Sequence, residues 1–146
     1  MIKVGWKMIL KEREVFYHAT DYKNLASIMS KGIVPNYDGI YSSEDGQLST
    51  MWICMTKHQT KKVMVIPYIA DTKTHQPATD HSPHMLELLG AKLDETPYTM
   101  DTKVYQTFET IKPEQIRFDG IRVVDNPCYN PELARQFDRM YGREEE

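Results

Sequence analysis

Cysteine is scarce: Cys54 and Cys128 are the only two in 146 residues. Two widely separated thiols build no disulfide framework, which excludes a small disulfide-stapled fold. Free thiols fit a reducing compartment, so a cytoplasmic location is expected. A basic excess is also lacking, with 18 Lys and Arg against 21 Asp and Glu and a formal net charge of −3. A dedicated duplex nucleic-acid binder relies on many Lys and Arg contacts to phosphates, so that class is excluded, while a local basic pocket is not. Long apolar runs are missing as well. No stretch approaches the roughly 18 apolar residues of a membrane span, and no membrane partner is expected. The opening "MIKVGWKMILKEREVFY" is interrupted by Lys3, Lys7, Lys11, Glu12 and Arg13, unlike the apolar core of a signal peptide. Neither GxGxxG nor GxxxxGK[ST] occurs, so both glycine-loop devices for holding phosphates are absent.

What is present suits one domain spanning residues 1–146, long enough to bury a core without disulfides or metal. "MIKVGWKMIL" reads as a first strand or a lead-in. "EVFYHAT" predicts a strand with Val15 and Tyr17 on one face and Phe16 and His18 on the other. Thr20 or Asp21 then caps a helix whose apolar face is Leu25, Ile28 and Met29, and Gly32 and Pro35 end it. A short strand is expected at Ile40–Ser42 within a turn-rich stretch. "TMWICMT" and "KVMVIPYIAD" read as strands, the second an edge strand or broken at Pro67, which has no N–H to give a ladder. "DTKTHQPATDHSPH" reads as loop. "PHMLELLGAKL" predicts a helix with Met85, Leu88 and Leu89 on one face. "KVYQTFETI" alternates as a strand should, with Val104, Gln106 and Phe108 opposite Tyr105, Thr107 and Glu109. "QIRFDGIRVVD" is one strand or two bent at Asp119–Gly120. A C-terminal helix is expected at about residues 130–142, with Asn130 as cap, Pro131 at the first position, and a Leu133, Phe137 and Met140 stripe. The pattern is α+β, a sheet core with short flanking helices.

Several residues have chemistry to offer. His18 ends a strand and Thr20 follows two positions later, so an imidazole, a hydroxyl and backbone amides lie within one short reach. That set orients a polar ligand by hydrogen bonds; alternatively, Thr20 only caps the helix. Asp80, His81 and His84, with His75 upstream, have donor types that suit a divalent ion. No second cluster completes such a site, and Ser82 and Pro83 read as a helix start, so no metal is expected. Cys54 lies in an apolar run and reads as a small buried residue. Lys57, His58, Lys61 and Lys62, near Trp52 and Tyr68, form a hairpin turn in solvent or a place for phosphates and a stacked base.

Tyr17-His18-Ala19-Thr20, followed by Leu25, Ile28, Gly32-Ile33 and Pro35, resembles the opening motif of the ADP-ribosyltransferase superfamily. "IYSSED" from Ile40, or "WICMT" from Trp52, is similar to its second motif. "FETIKPEQI" from Phe108 to Ile116 is similar to its closing segment. Relatives in that superfamily include RNA 2'-phosphotransferases and DNA ADP-ribosyltransferases. The phosphotransferases hold a phosphate with several arginines, and no arginine occurs here from Lys23 to Glu114. The resemblance implies an ADP-ribosyltransferase-like split β-sheet with an NAD cleft between two small sheets. It implies that NAD is cleaved at the nicotinamide–ribose bond and ADP-ribose passed to a protein or nucleic-acid acceptor. By the same resemblance, His18 and Thr20 orient NAD, and the Ala19 backbone holds the nicotinamide amide. Tyr41 and Ser42 form the second motif, with Thr56 the competitor, and an aromatic ring stacks on nicotinamide. Glu109 is then the carboxylate that stabilises an oxocarbenium-like transition state, with Asp101 the rival because the commoner pattern puts the acid earlier. Gln106 can hydrogen-bond there but cannot serve as an anion. A non-catalytic binding module on the same fold, without a placed carboxylate, is the alternative.

Overall fold

The computed structural model describes residues 13–90 and 103–142. The expected first strand and Asp101 lie outside the described residues. The first described element is β1, Arg13–Asp21. Asp21 closes it by accepting from the Lys23 amide at 3.0 Å and, through its other oxygen, from the Thr60 hydroxyl at 3.0 Å. A 3-10 turn at Tyr22–Asn24 leads into helix α1, Leu25–Lys31. Gly32 ends that helix at φ 78°, a conformation a side chain disfavours. Any Cβ there would also collide with the Ile111 carbonyl, because Ile33 and Ile111 exchange backbone hydrogen bonds at 2.8 and 2.9 Å.

Strand β2 is Ile40–Ser43, helix α2 Gln47–Thr56 and strand β3 Lys62–Asp71. After a 3-10 turn come β4, Gln76–Pro77, and helix α3, Pro83–Leu88. Strands β5, Val104–Thr107, and β6, Arg122–Asp125, precede helix α4, Pro131–Met140. The strands form one six-stranded sheet in the order β4-β5-β2-β1-β3-β6. All its pairings are antiparallel. The chain is therefore a mixed α+β fold with helices flanking an antiparallel sheet.

Alternation along β1 and β3 sends side chains to two cores. One holds Phe16, Met64, Ile66 and Tyr68, covered by Ile28 of α1 and by Ile33, Ile40, Ile111 and Ile116. On the other face Ala19 and Val63 pack on Cys54 of α2, while Leu48 of α2 meets Leu86 and Val104. Full burial of each such aliphatic side chain contributes about 1.5–3 kcal/mol.

Several expectations about elements are corrected. "TMWICMT" is not a strand but the second half of α2. Leu48, Met51, Trp52 and Met55 face Leu86 and Val104, whereas Ile53 and Cys54 face Ala19 and Val63. A helix that is apolar on two sides shows neither a clean helical nor a clean strand period in a short window. Pro67 neither breaks β3 nor marks it as an edge strand. Strand β3 lies between β1 and β6, yet β6 pairs only with Lys62–Val65. Beyond that pairing the Pro67 carbonyl accepts from the Arg117 amide at 2.9 Å, so its missing N–H is on the side turned away from β1. The "DTKTHQPATD" loop contains β4, which pairs with β5. In α3 the buried residues are Pro83 and Leu86, while Leu88 is 81% exposed and Leu89 47%. With only six residues, that helix is oriented by its single contact with α2 and β5 rather than by a stripe.

The expected caps hold. Asn130 caps α4 by accepting from the Leu133 amide at 3.0 Å, and Ser82 caps α3 by accepting from Met85. "QIRFDGIRVVD" is neither one strand nor two: a 3-10 turn at Phe118–Gly120 precedes the single strand β6, and Ile116 makes only an isolated bridge to Tyr68.

Candidate functional site

The sheet is unevenly knit. Strands β1 and β3 pair over nine consecutive positions, Arg13↔Asp71 to Asp21↔Val63. Strands β1 and β2 pair at a single position, Tyr17↔Ser43. Beyond it the two strands part, and the gap is bridged by a side chain. His18 Nδ1 donates to the Tyr41 carbonyl oxygen at 2.7 Å. A carbonyl only accepts, so the hydrogen sits on Nδ1. Burial lowers the pKa of His18 from its usual value, opposed by this bond. The neutral ring then presents Nε2 as an acceptor.

A cavity of about 390 Å³ opens at this parting, lined by His18, Ala19, Thr20, Asn24, Asn36 and Ile53 among others. Thr20 accepts from the Asn24 side chain at 2.9 Å. Three of the expected site residues are thus together. Tyr41, on β2, holds the next position through its backbone bond to His18 and through its hydroxyl. That hydroxyl donates to Asp80 Oδ2 at 3.4 Å and accepts from Gln106 Nε2 at 3.2 Å. Gln106 is the register partner of Tyr41 and also donates to the Asp38 carbonyl at 2.6 Å. Burial, then the nearby Asp80 and Asp38 charges, raise the Tyr41 pKa, so its phenol keeps its proton.

The remaining expected residues go elsewhere. Ser42 is fully buried on the opposite side of β2, facing the Tyr68 core. Thr56 ends α2, bonds the Trp52 carbonyl at 2.6 Å, and lines a separate cavity with His58 and Phe137. Glu109 follows the end of β5 rather than lying on it, and lines a third cavity of about 700 Å³ with Arg13, Asp71, Lys112 and Arg117. Of the aromatic partners considered for a stacked base, Tyr68 is wholly buried. Lys62 pairs with Asp125 at 2.8 Å.

Two residues that the sequence offered for other roles, Trp52 and His81, come to this site. Trp52 reaches it because its segment is a helix, and His81 because of a turn at φ 69°, the only positive φ among the described non-glycine residues. The His81 ring lies 4.2 Å from the Tyr41 ring and 4.1 Å from the Trp52 ring, the latter at an interplanar angle of 20°. Burial, then the neighbouring His18, lower its pKa to about 3. His75, by contrast, joins the core: its Nε2 accepts from the Tyr68 hydroxyl at 2.7 Å, and its ring stacks on Phe16 at 4.1 Å. Among the described residues no group of three or more His, Cys, Asp or Glu is arranged to hold a metal ion.

No family model, no curated protein and no solved structure matches the chain. The functional reading therefore rests on the site itself. A neutral imidazole and small polar groups line the cavity, while the Tyr41 and Trp52 rings, with Asp80 and Asp38 near Tyr41, lie outside that lining and hold His81 between them. The cavity suits the hydroxyls of a polar ligand, and the ring pair suits a flat heterocycle.

Proposed function

We propose that the protein is an ADP-ribosyltransferase-type enzyme that uses NAD as substrate in the cleft between β1 and β2. The observation that carries this reading is the bond from His18 to the Tyr41 carbonyl at the place where the two strands part. It leaves a neutral Nε2 acceptor at the cavity wall, suited to a ribose hydroxyl, with the Ala19 backbone and the Thr20 hydroxyl beside it. The near-separation of β4-β5-β2 from β1-β3-β6 supports the split-sheet form of the fold. Tyr41 contributes a ring face for nicotinamide. As the glycosidic bond weakens, positive charge grows on the ribose, and a fixed anion lowers that barrier. We assign this task to Asp80, whose Oδ2 accepts from the Tyr41 hydroxyl at 3.4 Å, with Glu109 the rival. Neither carboxylate lines the cavity that holds His18. The acceptor is a protein or a nucleic acid, and the reaction would run in the cytoplasm. No helix among the described residues is long and apolar enough to cross a membrane.

A second reading, a non-catalytic NAD-binding module, is favoured by one observation. The register partner of Tyr41 is the neutral Gln106 rather than a carboxylate. One experiment separates the two: NAD binding by calorimetry alongside free nicotinamide release, with and without candidate proteins and nucleic acids. Binding with release selects the enzyme, binding without release under every acceptor selects the module, and absence of binding overturns both.

A further inference from the structure

The slot beside His18 is not open. His81 fills it, an aromatic nitrogen heterocycle held between Tyr41 and Trp52 at ring distances of 4.2 and 4.1 Å. The placement is unusual for three independent reasons. The backbone of His81 is at φ 69°, which costs a non-glycine residue of order 1–3 kcal/mol. The segment before it is polar and exposed at Thr79 and Asp80, so the ring is carried inward by a surface turn. No hydrogen bond of the imidazole itself is among the described contacts, so the ring is retained by stacking and by its turn, whose Asp80 bonds the Tyr41 hydroxyl.

We propose that the Tyr41–Trp52 slot is a binding site for a planar nitrogen heterocycle and that His81 is a tethered stand-in that such a ligand must displace. This rests on the NAD reading only for the identity of the ring, which would be nicotinamide. The physical case for displacement is direct. The slot walls sit on strand β2 and helix α2, whereas His81 sits on a turn between the two-residue β4 and the short α3. A tethered ring loses little entropy on docking, so a free ligand competes against a high effective concentration. The apparent affinity is reduced by the fraction of molecules in which the slot is open. Removing the His81 ring removes that reduction without touching the walls. A glycine at this position also relieves the backbone, since glycine adopts positive φ freely.

The test uses the full chain with Trp6→Phe, so that Trp52 is the sole tryptophan reporter. Nicotinamide, adenine and imidazole are titrated separately against His81 as found, His81→Gly and His81→Ala, following Trp52 fluorescence. NAD is titrated by calorimetry. In the unsubstituted protein, NMR follows the His81 ring protons, which feel the ring currents of Tyr41 and Trp52. The expected result is at least about tenfold tighter binding of nicotinamide and NAD to both variants, the gain expected if the slot is open in one molecule in ten or fewer. Nicotinamide should also move the His81 protons toward free-imidazole positions, and Trp52→Ala should abolish the gain. Tighter adenine or imidazole binding without any gain for nicotinamide or NAD upholds the plug and overturns the NAD reading. Unchanged or weaker binding of every ring to both folded variants, with His81 protons unmoved, overturns the plug even if NAD binds. If neither variant folds, the NMR displacement decides alone.

Discussion

The two halves of the sheet are built to different standards. The β1-β3-β6 half is locked by nine consecutive backbone pairs between β1 and β3 and filled by Phe16, Met64, Ile66 and Tyr68, all 2% exposed or less. The β4-β5-β2 half is made of short strands and pairs with its neighbour at a single backbone position. Its site-facing groups are polar or aromatic and are held by side-chain contacts: Tyr41 with Asp80, Gln106 with Tyr41, and His81 between two rings. A ladder with a dry core resists local opening, whereas a few exposed hydrogen bonds and one stacked ring do not. Placing His18 on the firm half and Tyr41 on the looser one gives a cleft with one fixed wall and one adaptable wall.

The comparison can be broken most forcefully from the firm side. Ile66→Ala leaves a void in a fully buried position and should lower stability by about 2–5 kcal/mol, read as a drop in the denaturant midpoint. A shift no larger than that of a surface substitution would deny the firm half its role. Acid offers the next test. His18, His75 and His81 all have pKa values lowered by burial, so the native state holds them neutral while the free imidazole, with a pKa of about 6.5, protonates. Their contribution is present above about pH 6.5 and is lost as pH falls. The loss runs at up to about 1.4 kcal/mol per pH unit per histidine, and for His81 it ends near pH 3. The groups facing His81 are His18 and Tyr41, with Asp80 beside it and Asp38 beyond Tyr41. In the Trp6→Phe protein, Trp52 fluorescence should therefore change at a higher pH than the far-ultraviolet signal of the sheet, and a coincident transition would mean that the two halves open together.

Chemistry sharpens the comparison at a smaller scale. Asp80→Asn should reduce nicotinamide release at least about tenfold, equivalent to about 1.4 kcal/mol of barrier, with NAD binding retained. Glu109→Gln should leave release near its original rate, because Asp80 and not Glu109 bonds the Tyr41 hydroxyl. The reverse outcome would move the catalytic anion to Glu109. The smallest effect belongs to the periphery. Lys62 and Asp125 pair at 2.8 Å with side chains 50% and 81% exposed, so Lys62→Met should leave the denaturant midpoint unchanged.

Much of the firm half is legible in the sequence. "EVFYHAT" shows its alternation, "NLASIMSKG" its glycine stop and the inward Leu25 and Ile28, though Met29 of the expected face is 57% exposed, and "NPELARQF" its cap and first-turn proline. The looser half is not, and the causes are specific. Helix α2 packs against both Ala19 and Leu86, so its apolar residues show no single stripe. Strand β4 is two residues long and exists only because β5 pairs with it. The alternation of "KVYQTFETI" continues to Glu109, but the strand ends at Thr107, whose hydroxyl accepts from the Glu109 amide at 3.3 Å.

By itself the sequence determined the local units: a strand delivering His18, a capped helix stopped at Gly32, a long apolar β3 and a capped C-terminal helix. Short-range forces suffice for these, namely caps, glycine freedom and hydrophobic period. Only the tertiary structure decided which groups meet. Strand order set Gln106 rather than Glu109 across from Tyr41, and the parting of β1 from β2 turned His18 toward a carbonyl. Packing of a turn brought His81 between two rings that lie 40 and 29 positions earlier in the chain. Contacts between residues so far apart depend on register and packing, and no local pattern records them.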